Sequence, residues 1–561
     1  MADRVRVHRK CSARFAALGR GVLSGLIAAI VALGSAELVA AASSSLRSPV
    51  VDVGNKVVDL VPAAVKDLAI GWFGTSDKVA LLVGIGVVLA LYAAVVGVLA
   101  TGTRRRAGHL GVGTAGIVVF GIVGAVAAMS TREGRGPVAA VPSLIGAAAG
   151  AAALVLLVRA GRTSSDDRTD RAGAERDPGR VDVELVPRGP VDDAAEPADE
   201  PSSVGAITAS RRSFLVVSAA LASAGVVAAA SGRWLGARFS AAASRAAVVL
   251  PRALRPLPAV PAGATLDVAG ITPFVTPNGD FYRIDTALQV PQVSLEDWRL
   301  RVTGMVARPL ELTFEELTAR EVVEVDITMT CVSNEVGGGL LGSARWLGVR
   351  LDDLIRDAGV RSSADQIVGR SVDGYTCGFP VDTLDGRDAL VAFGMNGEPL
   401  PLAHGFPARL VVPGLYGYVS ATKWLTEIEL TTFDRFDQYW VPRGYAAQAP
   451  IKTSSRIDVP RGLARIQPGL TAIAGVAWAQ TRGISRVEVR VDDGPWETAE
   501  LAEQPTNDTW RQWVHRWDAN PGHHAITVRA TDGSGAIQTA ERSEPLPDGS
   551  TGLHQIVVLV G

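Results

Sequence analysis

The stretch VDITMTCVSNEVGGG, residues 325–339, contains a mostly apolar run, then Cys331, then a glycine-rich turn. The β-branched and apolar residues at 325–330 predict a strand, and the glycines predict its end. One cysteine therefore lies where a strand passes into a loop. Further downstream, MNGEPLPLAHGFPARLVVPGLYGYVSATKW, residues 395–424, combines a histidine, an arginine and a lysine with another strand-like run.

The sequence around these two segments predicts two kinds of β-rich structure. Strand-like runs such as VEVDITMTCV and ARLVVPG alternate with helical patterns such as TFEELTAR and VRLDDLIRDAG. This mixture predicts an α+β domain over residues 260–449. In residues 450–561, RVEVRVDDGPWETAEL and HAITVRATDGSG alternate apolar and polar positions around Asp-Gly turns, which is typical of hairpins. We predict an all-β, immunoglobulin-like sandwich there.

The N-terminal region is far more apolar than the rest of the chain. Its apolar stretches are each near the length of about 20 residues that crosses a bilayer core. Basic residues before the first stretch, between the second and third, and after the fourth predict that these ends face the cytoplasm. The fold class is therefore multi-domain, with N-terminal transmembrane helices preceding the two β-rich domains. Residues 1–160 are predicted to form four transmembrane helices, at 21–42, 79–100, 110–129 and 138–158.

Two features of this region leave their roles open. Glu37 is a carboxylate near the outer end of the first predicted helix. It is either a solvated or capping group, or a contact for a partner or a quinol. Residues 50–73 mix lysine and aspartate with apolar residues, which predicts an amphipathic helix on the outer surface. No paired histidines occur in the predicted membrane helices, so no haem is predicted in this chain.

Residues 161–210 are rich in Asp, Arg, Glu, Pro and Ala, which predicts a disordered cytoplasmic linker. The linker ends in SRRSFLVVSAALASAGVVAAASG, where Arg211 and Arg212 precede a moderately apolar run. That pattern is typical of a twin-arginine export signal. The alternative for residues 211–233 is an ordinary fifth transmembrane helix, and we expect an uncleaved helix. Both interpretations put the chain beyond Ser240 outside the cytoplasm.

Composition and missing motifs exclude several classes of function. A net charge of −2 provides no field that would attract nucleic acid. No GxGxxG follows a predicted strand and no GxxxxGK[ST] occurs, so the usual cradles for nicotinamide cofactors and nucleoside triphosphates are missing. The three cysteines, at positions 11, 331 and 377, give neither a disulfide framework nor a zinc spacing. Cys377 is expected to be a packed, small apolar residue.

The two segments together closely resemble the sulfite-oxidase family of molybdenum enzymes, from about residue 281 to the C-terminus. The resemblance implies that Cys331 is the sole protein ligand to molybdenum in a molybdenum–molybdopterin cofactor. A soft thiolate is a suitable donor for such a metal centre. Val332, Ser333 and Asn334 match the residues that follow the family's cysteine. Asn334 is expected in the cofactor-binding set, where it orients the loop by hydrogen bonds.

The resemblance also implies which residues hold the pterin. His404 and Arg409 match a histidine and arginine of the family, and a guanidinium can bind a phosphate through two hydrogen bonds. Lys423 matches the lysine that follows, with one residue inserted before it. Asp373 is a further predicted contact to the pterin.

Three more residues are predicted to be catalytic beside Cys331. Arg283 lies where the family has an arginine that reaches the metal. Tyr445 follows Trp440 by the spacing of the family's active-site tyrosine, and Arg482 matches an arginine extended from the C-terminal domain.

The resemblance breaks at two positions near these residues. Val336 stands where the sulfite-oxidising members have an arginine, next to Glu335. Asp285 stands where the family has a histidine. The metal site therefore carries over, while the sulfite pocket does not carry over intact.

The implied activity is oxygen-atom transfer to or from a sulfur or nitrogen centre, in a small molecule or a protein. Electrons would be exchanged with a separate carrier, a quinol or a cytochrome. The catalytic domain would face outward from a multi-pass protein of the cell (inner) membrane. Reduction of sulfoxides, including protein methionine sulfoxide, is the alternative to a sulfite-type oxidation. A metal-free membrane receptor or assembly protein on the same fold is the alternative of a different class. The expected partners are the lipid bilayer, the twin-arginine export machinery and a second copy of the chain.

Overall fold

Long apolar sequence forms long helices in the first of two compact units, Met1–Arg238 and Phe239–Gly561. The computed structural model describes residues 2–43, 46–61, 65, 72, 77–101, 108–132, 136–174, 204–236 and 241–561. In the first unit these residues form α1 (Ala2–Ala40), α2 (Pro49–Leu60), α3 (Asp77–Ala100), α4 (Gly108–Met129), α5 (Val141–Ala174) and α6 (Val204–Gly236). Five stretches are long and apolar enough to cross a membrane: Phe15–Ala40, Lys78–Ala100, Leu110–Met129, Pro137–Ala160 and Arg212–Ala247.

Helix α1 packs against α3, α5 and α6. Small residues bring the backbones close together at these crossings. A Cβ added to Gly25 would lie 1.9 Å from the carbonyl oxygen of Ala93, and one added to Gly34 would lie 2.1 Å from that of Gly225. Close approach through small residues is typical of helices that associate in lipid, where apolar burial gives little driving force.

The structure differs from the sequence prediction at both ends of the linker. Helix α5 continues to Ala174 and helix α6 begins at Val204, so both ends of the predicted linker are helical. A helix that has already formed extends without a new nucleation step, which composition alone does not reveal. Residues 175–203 and the basic residues at 104–106 lie outside the described residues.

The predicted amphipathic segment 50–73 is helical over α2. Its Asp59 forms an ion pair of 2.7 Å with Arg132, which follows α4. The predicted remainder of this segment lies almost wholly outside the described residues. Glu37, near the end of α1, accepts a hydrogen bond from the hydroxyl of Ser48.

The second unit begins with two sheets that contain the sequence segments quoted first. One sheet has the order β2 (Leu310–Leu312), β1 (Leu300–Gly304), β10 (Leu425–Thr431), β5 (Gln366–Ser371), β6 (Thr376–Pro380). The other has the order β3 (Val322–Thr330), β4 (Leu341–Arg350), β7 (Leu390–Met395), β8 (Glu398–Pro399), with β9 (Arg409–Val411) paired to β7. Strands β1 and β10 run parallel, and the other pairs in these sheets are antiparallel.

Short helices complete this α+β part. They are α7 (Ala241–Ala247), α8 (Phe314–Thr318), α9 (Leu351–Ala358) and α10 (Gly417–Ser420). Thr313 and Glu316 form a capping box at the start of α8. The buried core includes Leu300, Ile367 and Leu410, which come from strands of both sheets.

The remainder of the second unit is all-β, as its alternating sequence predicts. One sheet has the order β11 (Ser454–Val459), β13 (Gly469–Trp478), β17 (Arg511–Ala519), β16 (Glu500–Leu501). The second has the order β12 (Arg465–Ile466), β19 (His554–Val560), β18 (Gly522–Asp532), β14 (Ile484–Val491), β15 (Glu497–Thr498). Ile473 and Trp513 of the first sheet share a buried core with Val487 and Val528 of the second. The immunoglobulin-like assignment stays a prediction.

The all-β part fixes the glycine-rich loop that follows Cys331. Arg456 donates a hydrogen bond of 2.9 Å to the carbonyl oxygen of Gly338, and Ser550 donates one of 2.6 Å to that of Asn334. Gly337 has a φ of +79°, and a Cβ there would lie 2.4 Å from the His554 ring. The loop therefore needs glycine at this position, both for its backbone conformation and for its contact with β19.

Candidate active site

A cleft in the second unit brings most of the predicted cofactor residues together. It contains about 770 Å³ of space between atoms, its open mouth included. The polar lining residues include Cys331, Tyr282, Asp285, Asp373, His404, Arg409 and Lys423, and the aromatic residues around them include Tyr375, Tyr418, Trp424 and Trp440.

Cys331 is the first residue after β3, and its loop is closed by backbone hydrogen bonds. Its N–H donates to the carbonyl oxygen of Leu340 at 2.9 Å. Asn334 donates its own N–H to Cys331 and accepts the N–H of Leu340 on its side-chain oxygen at 2.7 Å. Asn334 does not line the cleft, so its contacts are with the loop. Burial raises the pKa of the Cys331 thiol, while hydrogen bonds from Ser333 oppose that rise.

Arg409 is a buried cation in the cleft wall. It is 5% exposed, and its guanidinium donates to the carbonyl oxygen of His404 at 3.1 Å and lies 5.2 Å from the Trp346 ring centroid. Among the described residues no carboxylate forms an ion pair with it. Burial lowers the pKa of Arg409 to about 10, a sign of how poorly its charge is solvated.

His404 is held in one orientation beside Arg409. Its Nε2 lies 3.1 Å from the carbonyl oxygen of Asn278, and because a carbonyl only accepts, Nε2 carries the proton. Burial, and then the charge of Arg409, lower the pKa of His404 to about 4. The neutral ring therefore offers Nδ1 as an acceptor.

Lys423 and Asp285 form a buried ion pair on the cleft lining. The lysine Nζ lies 2.9 Å from Asp285 Oδ2, and Arg283 Nε lies 2.8 Å from the same oxygen. The Asp285 side chain is only 3% exposed. Burial lowers the pKa of Lys423 to about 8, although Asp285 opposes this change.

Trp424, next to Lys423, has a left-handed backbone with φ of +50°. Such a conformation is strained for a bulky residue and is more common at functional sites than elsewhere. The indole is 2% exposed, its Nε1 donates to the carbonyl oxygen of Leu402 at 2.9 Å, and Lys423 Nζ lies 4.7 Å from its ring. The strained residue thus fixes the lysine against the cleft.

Asp373 lines the cleft from the turn between β5 and β6. It is 9% exposed, and its Oδ1 accepts the N–H of Tyr375 at 3.2 Å. The predicted pterin contact is therefore part of the cleft.

Three residues predicted to be catalytic are not among the residues that line the cleft, and their catalytic roles stay predictions. Arg283 turns to Asp285 and is 39% exposed. Arg482 donates to Asp532 at 2.9 Å and to the carbonyl oxygen of Ile451 at 3.0 Å. Tyr445 packs behind the cleft, with ring centroids 5.3 Å from Tyr418 and 5.2 Å from Trp440. Arg283 and Arg482 each bind a nearby carboxylate, which explains why neither side chain lines the cleft.

Three tyrosines at the cleft were not predicted. Tyr375 donates to the carbonyl oxygen of Tyr418 at 2.8 Å, and Tyr418 donates to that of Ala446 at 2.7 Å. Tyr282 lies close to both Cys331 and Arg409, whose charges act on its pKa. Burial, and then Cys331, raise the pKa of Tyr282. The only sequence indication of Tyr282 was its place beside Arg283 in FYRID.

The residues present fit a molybdenum–molybdopterin group. A buried guanidinium without a carboxylate partner is costly unless an anion binds it, and a pterin phosphate is such an anion. A buried thiol whose pKa is raised becomes a thiolate readily only when a metal coordinates it. Cys331 and Arg409 line the same cleft.

Comparison with known protein families gives the same assignment for the α+β part. The profile of the oxidoreductase molybdopterin binding domain matches residues 287–440. An uncharacterized oxidoreductase, YuiH, of Bacillus subtilis (strain 168) is 36% identical over 148 residues, which are 26% of this chain and 72% of that protein.

Longer relatives match a larger part of the chain. Mitochondrial sulfite oxidase of Drosophila melanogaster is 30% identical over 359 residues, 54% of this chain and 61% of the relative. The human enzyme is 28% identical over 303 residues, 46% of this chain and 55% of the relative. The matches thus span little more than half the length of these sulfite oxidases. Among solved structures, the sulfane dehydrogenase SoxCD of Paracoccus pantotrophus is 24% identical, with a TM-score of 0.46, over 51% of this chain and 81% of that one.

Proposed function

The chain belongs to the sulfite-oxidase family of molybdopterin-dependent oxidoreductases, and from this premise we propose that its cleft carries out oxygen-atom transfer at a sulfur or nitrogen centre. It is an oxidoreductase whose cofactor is molybdenum–molybdopterin. One observation carries the proposal for this particular cleft. The thiol of Cys331 and the buried, carboxylate-free guanidinium of Arg409 line the same cavity.

When bound, the cofactor would supply a two-electron centre for oxygen-atom transfer, and electrons would be exchanged with a separate carrier, for which we propose a quinol or a cytochrome. For reduction of a sulfoxide or an N-oxide, the reduced carrier would donate the two electrons. The side chains hold and orient that cofactor. Cys331 would bind the metal, and Arg409 would bind the pterin phosphate through its fork of N–H groups. Lys423 and Asp373 would contact the pterin at the cleft wall. His404 would accept a hydrogen bond on Nδ1.

We propose that the substrate is neutral, such as a sulfoxide or an N-oxide, rather than a small dianion such as sulfite. Val336 stands where sulfite-oxidising members have an arginine, and Glu335 adds a negative charge beside it. Each charge-assisted hydrogen bond is worth roughly 1.5–3 kcal/mol. Its loss should weaken the capture of an anion by about tenfold to a hundredfold. Methionine sulfoxide within an exported protein belongs to the same neutral class.

The test is kcat/KM for sulfite beside a panel of sulfoxides and N-oxides, on purified, molybdenum-loaded protein. We expect turnover of at least one neutral compound with an efficiency above that for sulfite. Sulfite turnover with the efficiency of dedicated sulfite oxidases, without any activity on the neutral panel, contradicts the proposal. Because Val336→Arg restores the missing cation, it should raise kcat/KM for sulfite by about tenfold.

A metal-free receptor or assembly protein on this fold remains the alternative of a different class. Its discriminating measurement is the molybdenum content of protein purified from cells that make the cofactor. We expect a molybdenum content near one atom per chain. Protein that contains no molybdenum, while its second unit is folded, would support the alternative.

We further propose that the chain is anchored in the cell membrane, with four helices in residues 1–160 and a fifth element at 211–233. The catalytic domain, 260–449, and the immunoglobulin-like domain, 450–561, would lie on the outer side. The five apolar stretches long enough to cross a bilayer support this arrangement. The motif SRRSFL supports export of the folded domain by the twin-arginine route. The immunoglobulin-like domain would pair two copies of the chain.

The export proposal is tested by replacing Arg211 and Arg212 with lysine, which keeps the charge. We expect the domain beyond Ser240 to stay on the cytoplasmic side, protected from protease added outside. Arg233→Lys, in the last turn of α6, is the matched control and should leave export unchanged. Normal export of the double variant shows that the twin-arginine hypothesis is wrong.

A further inference from the structure

The cations around the cleft differ in whether a carboxylate neutralises them. Arg409 has no ion pair with a carboxylate in the described part of the chain, and the proposed function assigns it to the cofactor. Lys423 and Arg283 both contact a single oxygen of Asp285, at 2.9 and 2.8 Å. The carboxylate is therefore shared between two cations instead of being paired with one.

Burial gives this arrangement its strength. The Asp285 side chain is 3% exposed and the Lys423 side chain is 10% exposed, so solvent screens their attraction little. Arg283, at 39% exposed, reaches the same oxygen from the solvent side. The carboxylate lies on the cleft lining, which puts its negative charge in the path of any ligand that approaches Lys423.

We infer that Asp285 is a specificity-determining residue that excludes small dianions from this cleft, because it places a buried negative charge on the lining and pairs with both Lys423 and Arg283. A sulfite or sulfate ion would have to displace the carboxylate or bind beside it, and both cost free energy. A neutral sulfoxide meets no such cost. This inference rests on the proposed function, because it names the residue that makes the substrate neutral.

Other groups near the cleft cannot substitute for the occupied cations. Arg482 is held by Asp532 away from the lining, and Val336 provides no charge. His404 is neutral near pH 7 because burial lowers its pKa to about 4. Removing the charge of Asp285 should therefore have a large effect on the binding of anions.

The experiment compares sulfate binding by the molybdenum-loaded full chain and by Asp285→Asn, which preserves the shape of the side chain. Titration calorimetry at about pH 6 keeps Lys423 protonated, since burial lowers its pKa only to about 8 in the native chain. We expect Asp285→Asn to bind sulfate at least about tenfold more tightly, which is about 1.4 kcal/mol. The kcat/KM for sulfite should rise in parallel, whereas that for a neutral sulfoxide should not.

Asp326→Asn is the matched control. Asp326 is 5% exposed and pairs with Arg345 at 2.9 Å, but neither residue lines the cleft. This variant frees a guanidinium elsewhere in the same unit, and its sulfate affinity should equal that of the native chain. The double variant Asp285→Asn/Arg283→Gln should lose much of the gain. An unchanged affinity in Asp285→Asn, or an equal gain in Asp326→Asn, would overturn the inference.

A second variant keeps the test decisive if Asp285→Asn does not fold or load molybdenum. Arg283→Gln removes an exposed cation that the inference considers already neutralised, so sulfate affinity should stay within about twofold of the native value. A loss of tenfold or more would identify Arg283 as an anion-binding residue and overturn the inference. Sulfate binding does not require turnover. A chain inactive on every neutral substrate, but with the expected gain in sulfate affinity, would reject the proposed function alone.

Discussion

Two arginines show how the cleft differs from the all-β part of the second unit. Arg482, in the turn between β13 and β14, donates to Asp532, whose side chain is 2% exposed, and to the carbonyl oxygen of Ile451. Arg409 is more deeply buried, yet it donates only to carbonyl oxygens and lies against Trp346. One guanidinium is satisfied within the protein, while the other has its cost of burial only partly offset.

The difference distinguishes a structural cation from one that awaits a ligand. A buried charge is retained against its desolvation cost when a counter-charge is present. In the all-β part the counter-charge is a carboxylate of the same chain. At the cleft it is absent from the described residues, and a bound phosphate would supply it. The two positions have the same residue type, and they differ in whether the protein itself supplies a counter-charge.

The largest predicted effect concerns Cys331, the thiol that lines the cleft and would bind the metal. We expect Cys331→Ala to lower kcat/KM more than a hundredfold, because loss of an outer-shell contact alone already costs about 10–100-fold at metal sites. The variant should remain folded. Cys377→Ala is the matched control, since Cys377 is also buried but accepts a hydrogen bond from Thr422 at 2.9 Å and does not line the cleft. Molybdenum content and turnover of both variants check this, and full activity in Cys331→Ala would contradict it.

Replacing Arg409 and Arg482 separately with methionine tests whether the two arginines differ in their need for a bound anion. Arg409→Met should lower cofactor retention by about a hundredfold, because charge-assisted hydrogen bonds contribute about 1.5–3 kcal/mol each. In cofactor-free protein the same variant should raise the unfolding temperature, since an unpaired buried charge is removed. Arg482→Met should lower the unfolding temperature, because it removes the ion-pair partner of the buried Asp532. It should leave cofactor retention unchanged.

Calorimetry of the detergent-solubilised chain, together with molybdenum quantification, measures both effects. The two variants should change the unfolding temperature in opposite directions. A loss of stability in cofactor-free Arg409→Met, equal to that in Arg482→Met, would show that Arg409 is an ordinary structural residue.

A third prediction concerns pH, again in cofactor-free protein. The pKa of His404 is lowered from 6.5 to about 4 by burial and by Arg409, so the unfolded chain takes up this proton more readily than the native chain. The stability that depends on neutral His404 is complete above about pH 6.5 and is lost as the pH falls to about 4. The loss corresponds to at most about 3 kcal/mol. His404→Gln should remove that part of the acid sensitivity.

The control for this pH prediction has the opposite sign. A hydrogen bond to Asp492 raises the pKa of His524, so its contribution is present below about pH 6.5 and is lost as the pH rises through the raised value. Chemical unfolding as a function of pH, in the native chain, His404→Gln and His524→Gln, separates the histidines. Equal acid sensitivity in the native chain and His404→Gln would contradict the prediction.

Local features of the sequence predicted that Cys331, His404 and Arg409 lie near one another, and the structure places all three on the lining of one cleft. Cys331 follows a strand, and His404 and Arg409 lie within one short segment, so their proximity needed no knowledge of distant contacts. The five apolar stretches could also be identified from the sequence, because the length and apolar composition of a segment are enough to indicate that it can cross a bilayer. The helical ends of the linker were missed, since extension of an existing helix depends on its neighbour rather than on composition.

Long-range pairing explains the predictions that differed from the structure. Arg482 forms an ion pair with Asp532. Arg283 forms one with Asp285, and Asp285 also binds Lys423, which is far from it in sequence. Nothing local in the sequence indicates these partners. Tyr282 was missed for a related reason. Adjacent side chains of an extended segment point to opposite sides, so placing Arg283 toward the metal put Tyr282 away from it.

The smallest predicted effect concerns a tyrosine on the cleft lining. Tyr282 lines the cleft close to Cys331 and Arg409, and burial keeps its phenol protonated by raising its pKa, so it remains a hydrogen-bond donor across neutral pH. Tyr282→Phe should therefore lower kcat about tenfold, the value of one hydrogen bond, with little change in molybdenum content. Tyr445→Phe should change kcat less than about threefold, because that ring packs behind Tyr418 and Trp440. Separate measurement of kcat and KM for both variants decides between the two phenols, and a larger loss of kcat in Tyr445→Phe would restore the assignment made from the sequence.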